Sequence, residues 1–386
     1  MVSYSHRIIL TAIGDTVMFE KAILAMHKTD NPCRLGWNCG NPATFTADAL
    51  REIRDSVAAG SCPARTLAAA YTYSYARYPL GDVAESLRNT FRAAREVRMP
   101  VIFHLDGVNW WNAHPELWNW FDPALPGYDP ENAAHVERWD WAEDTAVQIA
   151  WRNWGSQIRV LPPPNLASPG FLQLQYDCLD TLLPLLKDFA DTDPDLFGGL
   201  VFGWELSPYV QAYYYKNGND FRPAPPEQDP RGGLEHSIAL GYAAAAALGL
   251  QKEGVITEQT IDGICTWYLD KLICHAISHG FRREQIITHS YWGGETGRGG
   301  GHSGIASVRP GVLPGWSFYG GDIHEMDRQL AMAPEGWALI ECRPWDLTVP
   351  FLESVYHTGC RIINIFNWES VREDDRTLQV LKTILQ

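Results

Sequence analysis

Strand-like and helix-like segments alternate along the 386-residue chain, and the strands are continuous apolar runs. About eight such units follow one another, which predicts a (β/α)8 TIM barrel. Unbroken apolar runs belong to strands covered on both faces, as in a parallel sheet wrapped by helices. The alternation excludes a sandwich. A doubly wound open sheet is the other arrangement, but no G-x-G-x-x-G follows the first strand to serve a dinucleotide.

The first strand has two candidates, residues 8–13 and 34–38. Thr46 then caps a helix over 46–59, with Gly60 just past its end. The second strand lies within 66–73. A helix over 82–99 follows. Asp82 and Glu85 have capping-box spacing, Val83, Leu87, Phe91, Ala94 and Val97 form one face, and Pro100 stops it. The third strand, from Val101, leads to His104 and Asp106. Later strands read at 199–205, 285–289, 315–319, 338–341 and 361–367. Helices read at 171–190, 235–248, 258–279, 324–332, 348–358 and 377–385. Two excursions break the rhythm, a Trp-rich one at 107–167 after the third strand and an aromatic and Pro-rich one at 206–233 after the fourth. Both follow strand C-terminal ends, where barrels build active sites. With no internal repeat and no separate linker, residues 1–386 read as one catalytic domain.

The composition, 46% hydrophobic and 20% charged, suits a large globular core. A formal charge of −15 argues against nucleic acid or an anionic membrane as partner. Of the eight cysteines none forms a C-x-x-C pair, so buried free thiols are expected, and only Cys33 and Cys39 are placed to pair. No signal peptide or membrane span is legible at the start, which makes the cytoplasm the expected location, or the exterior if a leader precedes the chain. A homo-oligomer is compatible with all of this.

Two apolar strands end on a glutamate. One is Gly199-Leu200-Val201-Phe202-Gly203-Trp204-Glu205 and the other Trp337-Ala338-Leu339-Ile340-Glu341. A carboxylate there is costly unless it faces a polar cleft or pairs with an arginine such as Arg343 or Arg77. Two acids in one cleft are what glycosidic cleavage needs, one to protonate the leaving oxygen and one to attack the anomeric carbon or activate water. Aromatics fit the same chemistry, because indole packs on the C–H face of a sugar. Eight of the 16 tryptophans lie in the first excursion. Most should pack it, and Trp110 and Trp111 are the candidates to touch ligand. Other polar strand-end groups are Trp37 and Asn38 (first strand), His104 and Asp106 (third), His289, Tyr291 and Trp292 (fifth), and Tyr319, Asp322 and His324 (sixth).

With Glu205 on the fourth strand, Glu341 on the seventh and Trp368 after the eighth, the chain resembles the clan A retaining glycoside hydrolases in architecture. The resemblance implies Glu205 as acid/base, kept protonated beside Trp204, and Glu341 as nucleophile, held ionised by Arg343 or Tyr319. It implies Tyr319 or His324 as the partner of the nucleophile, Trp368 as the floor of the sugar subsite, and no cofactor. Trp204 departs from the Asn that the clan places before its acid/base. The expected activity is retaining hydrolysis of a carbohydrate, exo-acting or on short oligosaccharides. Two alternatives remain. One is a divalent-metal sugar isomerase or epimerase using Glu205, Asp322, His324 and Glu341, with His104 or His289 nearby. The other is a barrel that binds carbohydrate without turnover. The pair His275 and His279 lacks the glutamate of H-E-x-x-H and its helix should lie outside the barrel, so no zinc site is expected there. The glycine-rich run 293–304 lacks a phosphate-loop ending and reads as a mobile loop beside the active site, and no G-x-S-x-G elbow is present.

Overall fold

The computed structural model describes residues 22–28, 45–57, 64–108, 113–153, 157–208, 212–213, 238–290, 304–319, 322–343 and 347–386. Eight parallel strands close into a barrel: β1 (Ala22–Lys28), β2 (Arg65–Ser74), β3 (Val101–Asp106), β4 (Phe197–Leu206), β5 (Ile286–Ser290), β6 (Gly315–Phe318), β7 (Trp337–Cys342) and β8 (Cys360–Phe366). Each pairs with its neighbours in sequence and β8 returns to β1, so the sheet has no open edge.

The first strand corrects the sequence reading. It is Ala22–Lys28, and neither 8–13 nor 34–38, both of which lie outside the described residues, fills that position. Its core, Ala22-Ile23-Leu24-Ala25-Met26-His27, is short of β-branched and aromatic residues, so propensity gives it little weight. The barrel interior explains the alanines. Ala25, Ala68, Ala70 and Ala338 share one buried cluster with Ile23, Ile102, Val201, Ile287, Ile340 and Ile362. Small and large side chains from successive strands fill the narrow interior together.

The outer layer contains α1 (Ala47–Val57), α2 (Leu80–Val97), α3 (Pro169–Thr192), α4 (Tyr242–Leu248), α5 (Glu258–Ser278), α6 (Asp327–Met332), α7 (Val349–His357) and α8 (Asp375–Ile384). Thr46 caps α1 as expected, its Oγ1 accepting from the Ala49 N–H at 3.3 Å. The capping box at Asp82 is not formed. Pro79, whose ring fixes φ, is the N-cap of α2 without a side-chain bond, and Glu85 turns to Arg88 and Arg92. Helix α4 is shorter than expected, because Gly241 at φ 121° stands outside helical geometry just before it. Between β5 and β6 the described residues hold a 3-10 turn, Ile305–Ser307, rather than an α-helix. No described helix is long and apolar enough to cross a membrane.

The two excursions are joined. Ala150–Asn153 pairs antiparallel with Gln157–Val160 on one side and with Ala212–Tyr213, from the second excursion, on the other. A buried carboxylate pins the first excursion to α4. Glu137 accepts from the N–H groups of Gly241, Ala243 and Ala244 at 3.1, 3.0 and 3.3 Å, which satisfies helix-start donors that otherwise have no partner. Trp118 is buried in the excursion, and Trp120 and Trp141 donate their indole N–H to the carbonyls of Val147 (3.2 Å) and Gly254 (2.7 Å). These three and Trp139 pack the insertion.

Ala70→Leu would insert three heavy atoms into the filled interior. The urea midpoint should fall by an amount corresponding to about 1–3 kcal/mol, at an unchanged denaturant slope. An unchanged midpoint would mean that the interior is looser than described.

Candidate active site

Two register breaks aim the glutamates. On β4, Phe202 faces Thr288 and Leu206 faces Ser290, so three residues stand opposite one. Gly203 takes φ +88° there, and a Cβ on it would lie 2.4 Å from the His289 carbonyl oxygen. Glu205 itself takes φ +45°, a region that costs an L-residue about 1–3 kcal/mol unless its surroundings fix it. Simple alternation would send Trp204 outward. Instead its indole lies 5.8 Å from the His104 ring and 6.4 Å from Phe366, inside the mouth. On β7, Leu339 pairs with Trp316 and Glu341 with Ser317, which leaves Ile340 extra. Ala338 and Ile340 both belong to the interior cluster, so alternation would send Glu341 outward, and the bulge turns it in.

Both carboxylates are 2% exposed. Tyr319, just after β6, bridges them. Its hydroxyl bonds Glu205 Oε1 and also Glu341 Oε2, the latter at 2.5 Å. The two carboxylate oxygens therefore lie no more than about 5 Å apart (twice the 2.5 Å limit). A phenol has a single hydrogen to donate. Both contacts are satisfied when one carboxyl is protonated and donates to Tyr319, while Tyr319 donates to the other. Burial, and then the charge of Glu205, hold Glu341 well above the usual carboxylate range, opposed by the Tyr319 hydroxyl and the Trp204 indole. The direction runs against the expectation that Glu341 stands ionised at rest. Such a pair titrates as one unit, with its first charge shared over three oxygens. Glu341 Oε1 has no hydrogen-bond partner among the described residues.

A layer of neutral polar groups supports the pair. His104 Nε2 contacts the Gly203 carbonyl at 2.5 Å, which fixes the proton on that nitrogen. His289 Nδ1 accepts from the Glu205 N–H at 3.4 Å, and its Nε2 therefore donates to Ser317 Oγ at 2.7 Å. His27 bonds Thr72 Oγ1 (2.7 Å) through Nε2 and Asn364 (2.9 Å) through Nδ1. Burial lowers all three imidazoles, His104 to about 4, so they remain uncharged under the acids. His27, at the end of β1, was missed with its strand, and its signal was the histidine closing an apolar run.

Other expectations resolve unevenly. Tyr319 joins the acids as expected. His324 does not, because it lies exposed on the 3-10 turn Ile323–Met326 and pairs with Asp327 at 3.2 Å. Asp322 caps that turn from an exposed position, so the metal-ligand set of Glu205, Asp322, His324 and Glu341 is not assembled. Arg343 donates to the Tyr319 backbone carbonyl and lies over its ring, holding the bridge rather than an acid. Asp106 accepts from Ser74 Oγ (3.3 Å) and the Val108 N–H (3.1 Å), closing the end of β3. Trp368 is wholly buried in the outer core, and Phe366 is the aromatic that ends β8 beside Trp204. Because β1 ends at Lys28, Trp37 and Asn38 do not end the first strand, and both lie outside the described residues. Trp110, Trp111, Tyr291, Trp292, the run 293–303 and the pair Cys33 and Cys39 also lie outside them. The described cysteines are free, four of them buried and Cys274 exposed.

No family model matches the sequence, and no curated protein matches it. Solved structures are similar in fold. The catalytic domain of β-amylase from Paenibacillus polymyxa aligns over 94% of this chain and 98% of its own, at a TM-score of 0.53 and 9% identity. An exo-β-1,4-mannosidase from an Opitutaceae bacterium aligns over 97% of this chain and 62% of its own (TM-score 0.46, 11% identity). A variant of morphinone reductase in complex with tetrahydroNAD aligns over 93% and 86% (TM-score 0.43, 9% identity). At this identity the likeness establishes the (β/α)8 barrel and leaves the chemistry to the site.

The raised pKa of Glu341 has a signed consequence. The folded chain keeps a proton that the unfolded chain loses in the ordinary glutamate range. That stabilisation is full below this range and is lost as pH rises through the raised value. Glu341→Gln removes the titration. Its melting temperature should exceed that of the native chain by an amount that grows as pH rises above the ordinary glutamate range, reaching a few degrees. A pH-independent difference would contradict the assignment.

Proposed function

We propose that this chain hydrolyses a glycosidic bond by double displacement, with Glu205 as general acid/base and Glu341 as nucleophile. The observation that carries the reading is the pair itself, two buried strand-end glutamates within about 5 Å on one tyrosine hydroxyl. Carboxyl groups about 5–5.5 Å apart suit direct attack on the anomeric carbon, whereas an inverting enzyme needs about 6.5–9.5 Å to admit water. Glu341 Oε1, free of protein partners among the described residues, suits the attacking atom.

The shared proton reaches its place through Tyr319. Glu341 gives its proton to the phenol oxygen as the phenol gives its own to Glu205. Tyrosine ends unchanged, Glu205 becomes the acid, and Glu341 becomes the carboxylate. Glu341 attacks the anomeric carbon while Glu205 protonates the departing oxygen. Glu205 then takes a proton from the water that releases the glycosyl-enzyme. No cofactor enters. The joined excursions after β3 and β4 favour a pocket closed on that side, hence exo action or a short oligosaccharide.

Activated aryl glycosides with and without azide test the roles. Glu341→Gly and Glu205→Ala should each lose most activity and regain it with azide, yielding glycosyl azides of opposite anomeric configuration. Full activity in both variants would end the two-carboxylate account, and binding without turnover in the native chain would leave a carbohydrate-binding barrel. Tyr319→Phe removes the relay and should lower kcat by about 10²–10⁴-fold with a smaller change in KM. An unchanged kcat would place the proton transfer elsewhere.

A further inference from the structure

On the outer surface, far along the chain from the glutamates, α3 and α5 bring together Asp180, His275 and His279. The histidines are four residues apart at the end of α5, so both rings project from one face, with centroids 5.0 Å apart. Asp180, from the middle of α3, points one oxygen at both. Its Oδ1 lies 2.8 Å from His275 Nε2 and 2.9 Å from His279 Nε2. The three ligand atoms lie within 4.8 Å of one another.

The two histidine contacts to Asp180 are not equivalent. His279 Nε2 meets Asp180 with hydrogen-bond geometry. His275 Nε2, equally close and shielded from solvent, has none, so its nitrogen is left without a hydrogen-bond partner. Two ring nitrogens thus converge on one carboxylate oxygen, and only one of them meets it along an N–H bond. Tyr176, one turn before Asp180 on α3, stacks on the His275 ring at 4.4 Å and 18°, which fixes its plane. The histidine side chains are 17% and 22% exposed and Asp180 is 53% exposed, so the ring nitrogens are held while the carboxylate side opens to solvent.

We propose that Asp180, His275 and His279 form a binding site for a divalent zinc ion that clamps α3 to α5. Imidazole and carboxylate are a borderline donor set that zinc accepts in tetrahedral geometry, with a water in the fourth position. Metal–ligand bonds of about 2.0–2.2 Å set ligand atoms roughly 3.4 Å apart, so Asp180 Oδ1 would move about half an ångström away from each ring nitrogen. No general base stands beside the histidines in sequence, so the ion would be structural. The sequence spacing alone concealed the site because its third ligand comes from another helix.

Zinc titration of the full-length protein against a chromophoric chelator tests this, in a Cys274→Ser background because the exposed thiol next to His275 is itself a zinc ligand. One zinc per chain is expected. Asp180→Asn and His279→Gln, both at the surface, should each weaken it at least about tenfold. Zinc should raise the melting temperature of the parent and not of the variants. Cobalt in the native chain, with Cys274 present, should give visible bands of nitrogen and oxygen ligation without a thiolate charge-transfer band, a readout that needs no variant. Equal zinc affinity in parent and variants, or a thiolate band, would overturn the site.

Discussion

Two carboxyl groups that share one buried hydroxyl cannot both be charged, and the rest of the barrel mouth is arranged around that constraint. Out of water, the repulsion between like charges a few ångströms apart is a sizeable fraction of the stability of a whole domain. The proton therefore stays with the pair, and Tyr319 fixes its path. Arg343 grips the backbone carbonyl of Tyr319 and covers its ring, so the bridge is held without a positive charge bonding either acid through that contact. The histidines below are held neutral by their burial. A charged imidazole there would favour ionisation of both acids and dissolve the sharing.

Backbone geometry sets this up at a local cost. A regular β7 would hide Glu341 among the outer helices, and a regular β4 would leave Trp204 outside the mouth. Each strand breaks register at its C-terminal end, and the positive-φ backbone of Gly203 and Glu205 is fixed from beneath by His104 and His289. Trp204 then occupies ground next to Glu341, where its indole opposes the rise in that acid's pKa. The residue that departs from the clan's pattern is thus tied to the nucleophile candidate rather than to a sugar hydroxyl.

Much of this was legible in the sequence. Seven of the eight strands read correctly because buried parallel strands are unbroken apolar runs, and both glutamates stood out as charges closing such runs. The first strand did not, because its alanines answer to the volume of the barrel interior rather than to strand propensity. His27 was lost with it. Bulges leave no mark in a single sequence beyond a glycine, so the inward turn of Trp204 could not be read. Trp368 and His324 were placed by analogy of position. Packing decided otherwise, burying one in the outer core and leaving the other in solvent beside Asp327.

The central claim is the single proton held between Glu205 and Glu341. Infrared difference spectroscopy of the native chain against Glu341→Gln, at neutral pH, addresses it directly. The account predicts a protonated carboxylic C=O band in the native spectrum that vanishes in the variant and shifts in Tyr319→Phe. A native spectrum with both glutamates ionised, and no such band in the difference, would contradict it.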